Sequence, residues 1–71
     1  MMPLGFSEIG EAQIVRRIGG TPEVKKHLEN LGFVAGSEVS IISKLGSNVI
    51  VKVKESRVAI SDELARKIMV G

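Results

Sequence analysis

Val39 and Ile41 precede Gly46-Ser47, and Val49, Val51 and Val53 follow it, each apolar residue two positions from the next. Apolar residues at every second position describe a strand with one face toward a core and the other toward water. The pattern predicts two strands, Glu38–Leu45 and Asn48–Lys54, around a tight turn. Ile42 and Ile50 fall on the opposite parity. Either they are buried beneath the helix or the N-terminal lead-in, or they point outward as a partner surface, because apolar residues grouped on an exposed face mark one.

Upstream, "EAQIVRRI" (Glu11–Ile18) reads as a strand with Ala12, Ile14 and Ile18 on one face. Arg16 falls on that face, which requires either a barrel end, where its stem packs and its head reaches water, or a bulge that shifts the register. Gly19-Gly20 breaks the strand. In "TPEVKKHLENL", Thr21 is placed as N-cap, Pro22 at the first helical position and Glu23 at the positive end of the helix dipole. Val24, Leu28 and Leu31 form one apolar stripe at i, i+4, i+7. Gly32 stands where a helix ends in a left-handed residue. Gly36 is the positive-φ residue of a turn before the next strand. Phe33, between the two, either plugs one end of a barrel or sits at its rim as a contact.

Downstream, Arg57–Ser61 is a short strand after a tight turn at Glu55-Ser56, and Ser61 caps a helical turn beginning Asp62-Glu63. Ile68–Val70 closes the sheet. The lead-in, residues 1–10, offers Leu4, Phe6 and Ile9 as anchors. The order β-α-β-β-β-(short helix)-β is mainly β, and it suggests a small curled barrel of about five strands, since closure hides edges that so small a chain cannot otherwise cover.

With 71 residues the chain allows one domain, residues 1–71. Such a domain buries only about 60% of its unfolded surface, so its core is thin. Its aromatics are Phe6 and Phe33, so that core is aliphatic. Without cysteine there is no disulfide framework, thiolate metal site or cysteine nucleophile. A net charge of +2 is too weak a field to point to nucleic acid. No apolar run approaches the roughly 20 residues of a membrane helix. The expectation is a soluble, cytoplasmic protein that is not inserted in a membrane.

Few residues suggest chemistry. His27 is the sole histidine and lies four positions from Glu23, so the two share a helix face and are the candidate metal ligands. Two ligands are too few for a closed site, and the competing reading is a solvated helix surface. Asp62 and Glu63 fit the first turn of a helix better than a catalytic pair. Gly32 and Gly36 follow a helix and precede a strand, the reverse of an anion cradle. Lys52, Lys54 and Arg57 make a basic stripe, but no Tyr or Trp stands among them to stack bases. No catalytic residue and no cofactor site is expected, and no enzyme activity.

The motif Leu28-x-x-Leu31-Gly32-Phe33-x-x-Gly36-x-x-Val39-x-Ile41 continues as Val51-x-Val53, Val58-Ala59-Ile60 and Ala65-x-x-Ile68-x-Val70. Together with "GEAQIVRRIGG" it resembles the ferrous-iron transport protein A (FeoA) family over about Leu4 to Val70. Ala35 stands where that family often has Pro. The resemblance implies a small SH3-like β-barrel with one helix after the first strand and a helical turn near the C-terminus. It implies a cytoplasmic accessory role in ferrous-iron uptake through contact with the membrane iron permease that bears a G-protein domain. It also implies a divalent transition metal such as Fe(II) as the ion concerned, although the residues supply no obvious site. Phe33, Ile42 and Ile50 are the expected contact residues. The alternatives are a metal- or RNA-binding module and a homodimer joined at exposed strand edges.

Overall fold

The computed structural model describes residues 1–71. Strand β1 (Met2–Pro3) leads into a 3-10 turn at Leu4–Phe6, followed by β2 (Gln13–Ile18) and helix α1 (Pro22–Asn30). Strands β3 (Glu38–Leu45), β4 (Asn48–Val53) and β5 (Ser56–Ser61) come next, then α2 (Asp62–Ala65) and β6 (Ile68–Val70). The strands form one antiparallel sheet in the order β1-β6-β2-β3-β4-β5. The sheet is not closed by pairing between β1 and β5, so two edges remain where closure was expected.

Helix α1 starts and stops as its end residues dictate. The Thr21 hydroxyl accepts from the Val24 N–H at 3.3 Å, and Pro22 occupies the first turn. At the other end Gly32 has φ +108°. Its N–H donates to the Glu29 carbonyl (2.9 Å) and the Phe33 N–H donates to the Leu28 carbonyl (3.0 Å). That pair of bonds is a Schellman motif, and it usually carries an apolar contact between the two outer residues. Leu28 and Phe33 are both wholly buried in the same core. The second glycine sets the next turn. The Ser37 N–H donates to the Val34 carbonyl at 3.0 Å, with Gly36 at φ +93° in the third position of a type II turn. Two bonds to β2 hold this turn in place, from Gly36 N–H to the Val15 carbonyl (2.8 Å) and from Val15 N–H to the Ser37 carbonyl (2.9 Å).

Two bulges organise the sheet. Val15 pairs with Val70 and Arg17 with Met69, so Arg16 is an extra residue. The inward positions of β2 are therefore Val15, which is buried, and Ile18, which packs against the core and pairs with buried Ile68. The face predicted from Ala12, Ile14 and Ile18 is corrected accordingly: the bulge reverses parity partway along the strand, so the inward residues lie three apart. Arg16, displaced outward, donates from Nε to the Gly71 carbonyl at 3.1 Å. The second bulge lies at Ile42, between the pairs Ile41–Val51 and Ser43–Ile50.

The lead-in anchors only in part. Leu4 is buried, but Phe6 (69%) and Ile9 (58%) are exposed. Lys44 holds this segment through its Nζ, which donates to the Gly5 carbonyl at 3.0 Å. Thirteen buried apolar side chains make a single cluster between sheet and helices.

Candidate docking surface

The outer face of β3-β4-β5 collects side chains that no other element covers completely. Buried Val49 and Val51 flank Ile50, so Ile50 points the other way. Ile42 follows buried Ile41 and is the extra residue opposite Ile50. A two-for-one bulge of this kind brings both its residues to the face of the single partner. Ile42 and Ile50 thus stand together on the outside, each half-buried. Ala59, exposed, sits opposite Ile50 on β5. Leu45, 63% exposed, extends the apolar area toward the Gly46-Ser47 turn. The Gly10 N–H donates to the Ile41 carbonyl at 2.8 Å, which places Ile9 alongside the same stretch of β3. The next row along the face is polar and cationic: Ser40, Lys52 and Arg57 are paired across the three strands.

Phe33 does not join this surface. Its side chain is 0% exposed, enclosed with Leu28, and offers a partner nothing to touch. Its assignment as a contact residue is corrected to a core role. The Schellman motif explains this, because its N–H is drawn back to Leu28 and the ring follows. Gly32 and Gly36 are the helix stop and the turn residue anticipated for them.

The remaining candidate residues lie on the two helices. Glu23 and His27 both lie exposed on α1. No group of three or more His, Asp or Glu side chains converges anywhere in the chain. Asp62 pairs with Arg66 at 3.0 Å, and its N–H donates to the Ser47 carbonyl at 2.7 Å. With Ser47, Ser61 and Glu63 these residues line an open polar recess. The Ser61 hydroxyl accepts from the Leu64 N–H at 3.1 Å, which makes the acidic pair the first turn of α2. A second shallow recess is lined by Ala12, Glu38, Val39, Ser40, Lys52 and Lys54. The outward exposure of Phe6 and Ile9 escaped sequence reasoning. Their spacing gives no strand or helix parity: Phe6 ends the 3-10 turn, and the bond from Gly10 to Ile41 sets Ile9 beside β3.

No helix is long and apolar enough to cross a membrane. Comparison with known proteins adds identity to this geometry. The FeoA domain family matches residues 2–71. A Methanocaldococcus jannaschii protein assigned as Fe(2+) transport protein A is 37% identical over 70 residues, spanning 99% of this chain and 85% of that one. The crystal structure of an iron uptake regulatory protein (FeoA) superposes with a TM-score of 0.90 at 28% identity, covering 99% of this chain and 93% of the other. The zinc complex of Stenotrophomonas maltophilia FeoA, described as a prokaryotic SH3 domain protein, gives a TM-score of 0.87 at 25% identity over 100% and 91% of the two chains. A helix closed by Gly32, a sheet of six short strands and a family match over nearly every residue lead to one assignment: the chain belongs to the FeoA family of ferrous-iron transport proteins.

Proposed function

We propose that this protein is a non-enzymatic cytoplasmic accessory of ferrous-iron uptake that acts by docking to the cytoplasmic G-protein domain of the membrane iron permease. The observation that carries the reading is that Ile42, the extra residue of the β3 bulge, and Ile50 on β4 both stand half-buried on the outer sheet face. Two half-buried isoleucines beside exposed Leu45 and Ala59 form an apolar patch with a cationic border at Lys52 and Arg57. An apolar centre with a charged rim is the usual anatomy of a protein contact. Family membership supplies the transport context, and no constellation of nucleophile, base and orienting group competes with it. The test is calorimetric titration of the permease's cytoplasmic domain with the wild-type chain and with Ile42→Asp and Ile50→Asp. Binding by folded variants equal to wild type would remove the surface from consideration.

The zinc complex of the Stenotrophomonas relative motivates a second reading, in which Glu23 and His27 take a divalent ion such as Fe(II) or Zn(II). Titration with Zn(II) while following the His27 ring resonances decides it. Shifts that never saturate would end that reading.

A further inference from the structure

The sheet ends at β5, which pairs with β4 alone. Lys54-Glu55 is a two-residue turn between the partners Val53 and Ser56. A turn of that length makes its closing pair a hydrogen-bonded one, and bonding recurs at every second pair, here Val51–Val58 and Val49–Ile60. The N–H and C=O groups of Arg57 and Ala59 therefore face away from β4. None of the turn, loop or cap hydrogen bonds involves either residue, and both are exposed. Four backbone groups in a row thus lack a protein partner along this edge.

Side chains indicate what fits there. Lys52 and Arg57 stand directly opposite each other on the outer face, a like-charge pairing that costs stability. No carboxylate lies within ion-pair distance of either, the one ion pair of the molecule being Asp62–Arg66. The adjoining outward row, Ile50 and Ala59, is apolar. We infer that the β5 edge accepts an extended segment of a protein partner as a seventh strand, with a carboxylate beside Arg57 and an apolar side chain beside Ala59. Main-chain bonds supply the attachment, and alternate side chains supply selectivity. A second copy of this chain suits the edge poorly, because pairing two β5 strands would bring two Lys52–Arg57 rows close together. This inference deepens the docking reading above and rests on it for its setting, but it makes a separate claim about the edge.

A capped peptide with Glu and Val two positions apart on one face, a Glu-Thr-Val-Thr repeat, tests it, with a Lys-Thr-Val-Thr counterpart as the Lys/Val control, each titrated into the isotope-labelled chain at low salt. The Glu/Val peptide is expected to produce saturable shifts centred on the Arg57 and Ala59 amides and to slow their hydrogen exchange, and the Lys/Val peptide to produce none. Ala59→Pro deletes an edge-facing N–H that an edge strand can spare, and it is expected to weaken the peptide about tenfold. Arg57→Glu keeps every backbone group and is expected to reverse the preference between the two peptides. Edge amides already protected in the free chain, equal response to both peptides, or shifts centred elsewhere would overturn the inference. So would a doubled mass in solution that Ala59→Pro abolishes, since the occupant would then be a second copy. Peptide binding at the edge without any response to the permease domain would support the edge and count against the choice of permease. Permease binding that is lost in Ile42→Asp but intact in both Ala59→Pro and Arg57→Glu would do the reverse.

Discussion

Replacing Gly36 and Gly32 separately by alanine divides backbone strain from steric contact. Gly36 has φ +93°, and a Cβ there would meet nothing within 4 Å. Its substitution therefore carries only the conformational penalty of an L-residue at positive φ, about 1–2 kcal/mol. Loss of glycine's freedom in the unfolded chain returns about 0.4–1 kcal/mol. The net cost is on the order of 1 kcal/mol. Gly32 has φ +108°, and its Cβ would lie 3.3 Å from Val53 Cγ2, a buried side chain with little room to yield. The two Schellman bonds from Gly32 and Phe33 would be strained together with it. Its cost is expected to be about 1 kcal/mol greater, near the worth of one lost hydrogen bond. In a domain of this size each 1 kcal/mol lowers Tm by about 4–8 °C, so thermal unfolding followed by circular dichroism resolves the pair. Wild-type stability in Gly36→Ala, or a cost for Gly32→Ala no larger than for Gly36→Ala, would refute the turn and cap geometry described here.

Other perturbations test separate parts of the account. Lys54 takes φ +56° at the same turn position that Gly46 occupies, at φ +60°, in the other two-residue hairpin. Lys54→Gly is expected to raise stability by about 0.5 kcal/mol, the relieved strain less the entropy glycine adds to the unfolded chain; a loss in urea denaturation would contradict this. Phe33→Ala empties a fully buried site and is expected to cost about 3–5 kcal/mol, enough to unfold much of the population at 37 °C. A well-folded Phe33→Ala chain would return that residue to the surface. Ser7, 3% exposed, has a buried hydroxyl without a hydrogen-bond partner. Ser7→Ala is expected to stabilise by about 1 kcal/mol, and destabilisation would reveal a partner for that oxygen.

Local chemistry made much of this fold legible in the sequence. Thr21, Pro22 and Gly32 bound α1 through bonds that each residue type makes with its own neighbours, and the structure places all three as read. The alternating valines of β4 fall inward for a similarly local reason, since an unbulged strand keeps parity along its length. The misread elements are those whose outcome depends on distant residues. The face of β2 turned on where Arg16 bulges against β6, more than fifty positions away in the chain. Strand β1 holds only two residues and exists because β6 is there to pair with it. Phe33 carried an ambiguity that only the closing bonds of the helix resolve. For the docking surface, parity alone set Ile42 and Ile50 apart from the core valines. The second bulge leaves no mark in the residue pattern, and it sets Ser43 in register with Ile50, with Ile42 as the extra residue beside them.

The central claim is that the outer β3-β4 face engages the iron permease. Calorimetric titration of the permease's cytoplasmic domain with wild type and the Ile42→Asp/Ile50→Asp double variant addresses it directly. Placing two carboxylates on an apolar contact is expected to weaken binding at least about tenfold, with the variant's circular dichroism spectrum unchanged. A folded double variant that binds as tightly as wild type would contradict the account.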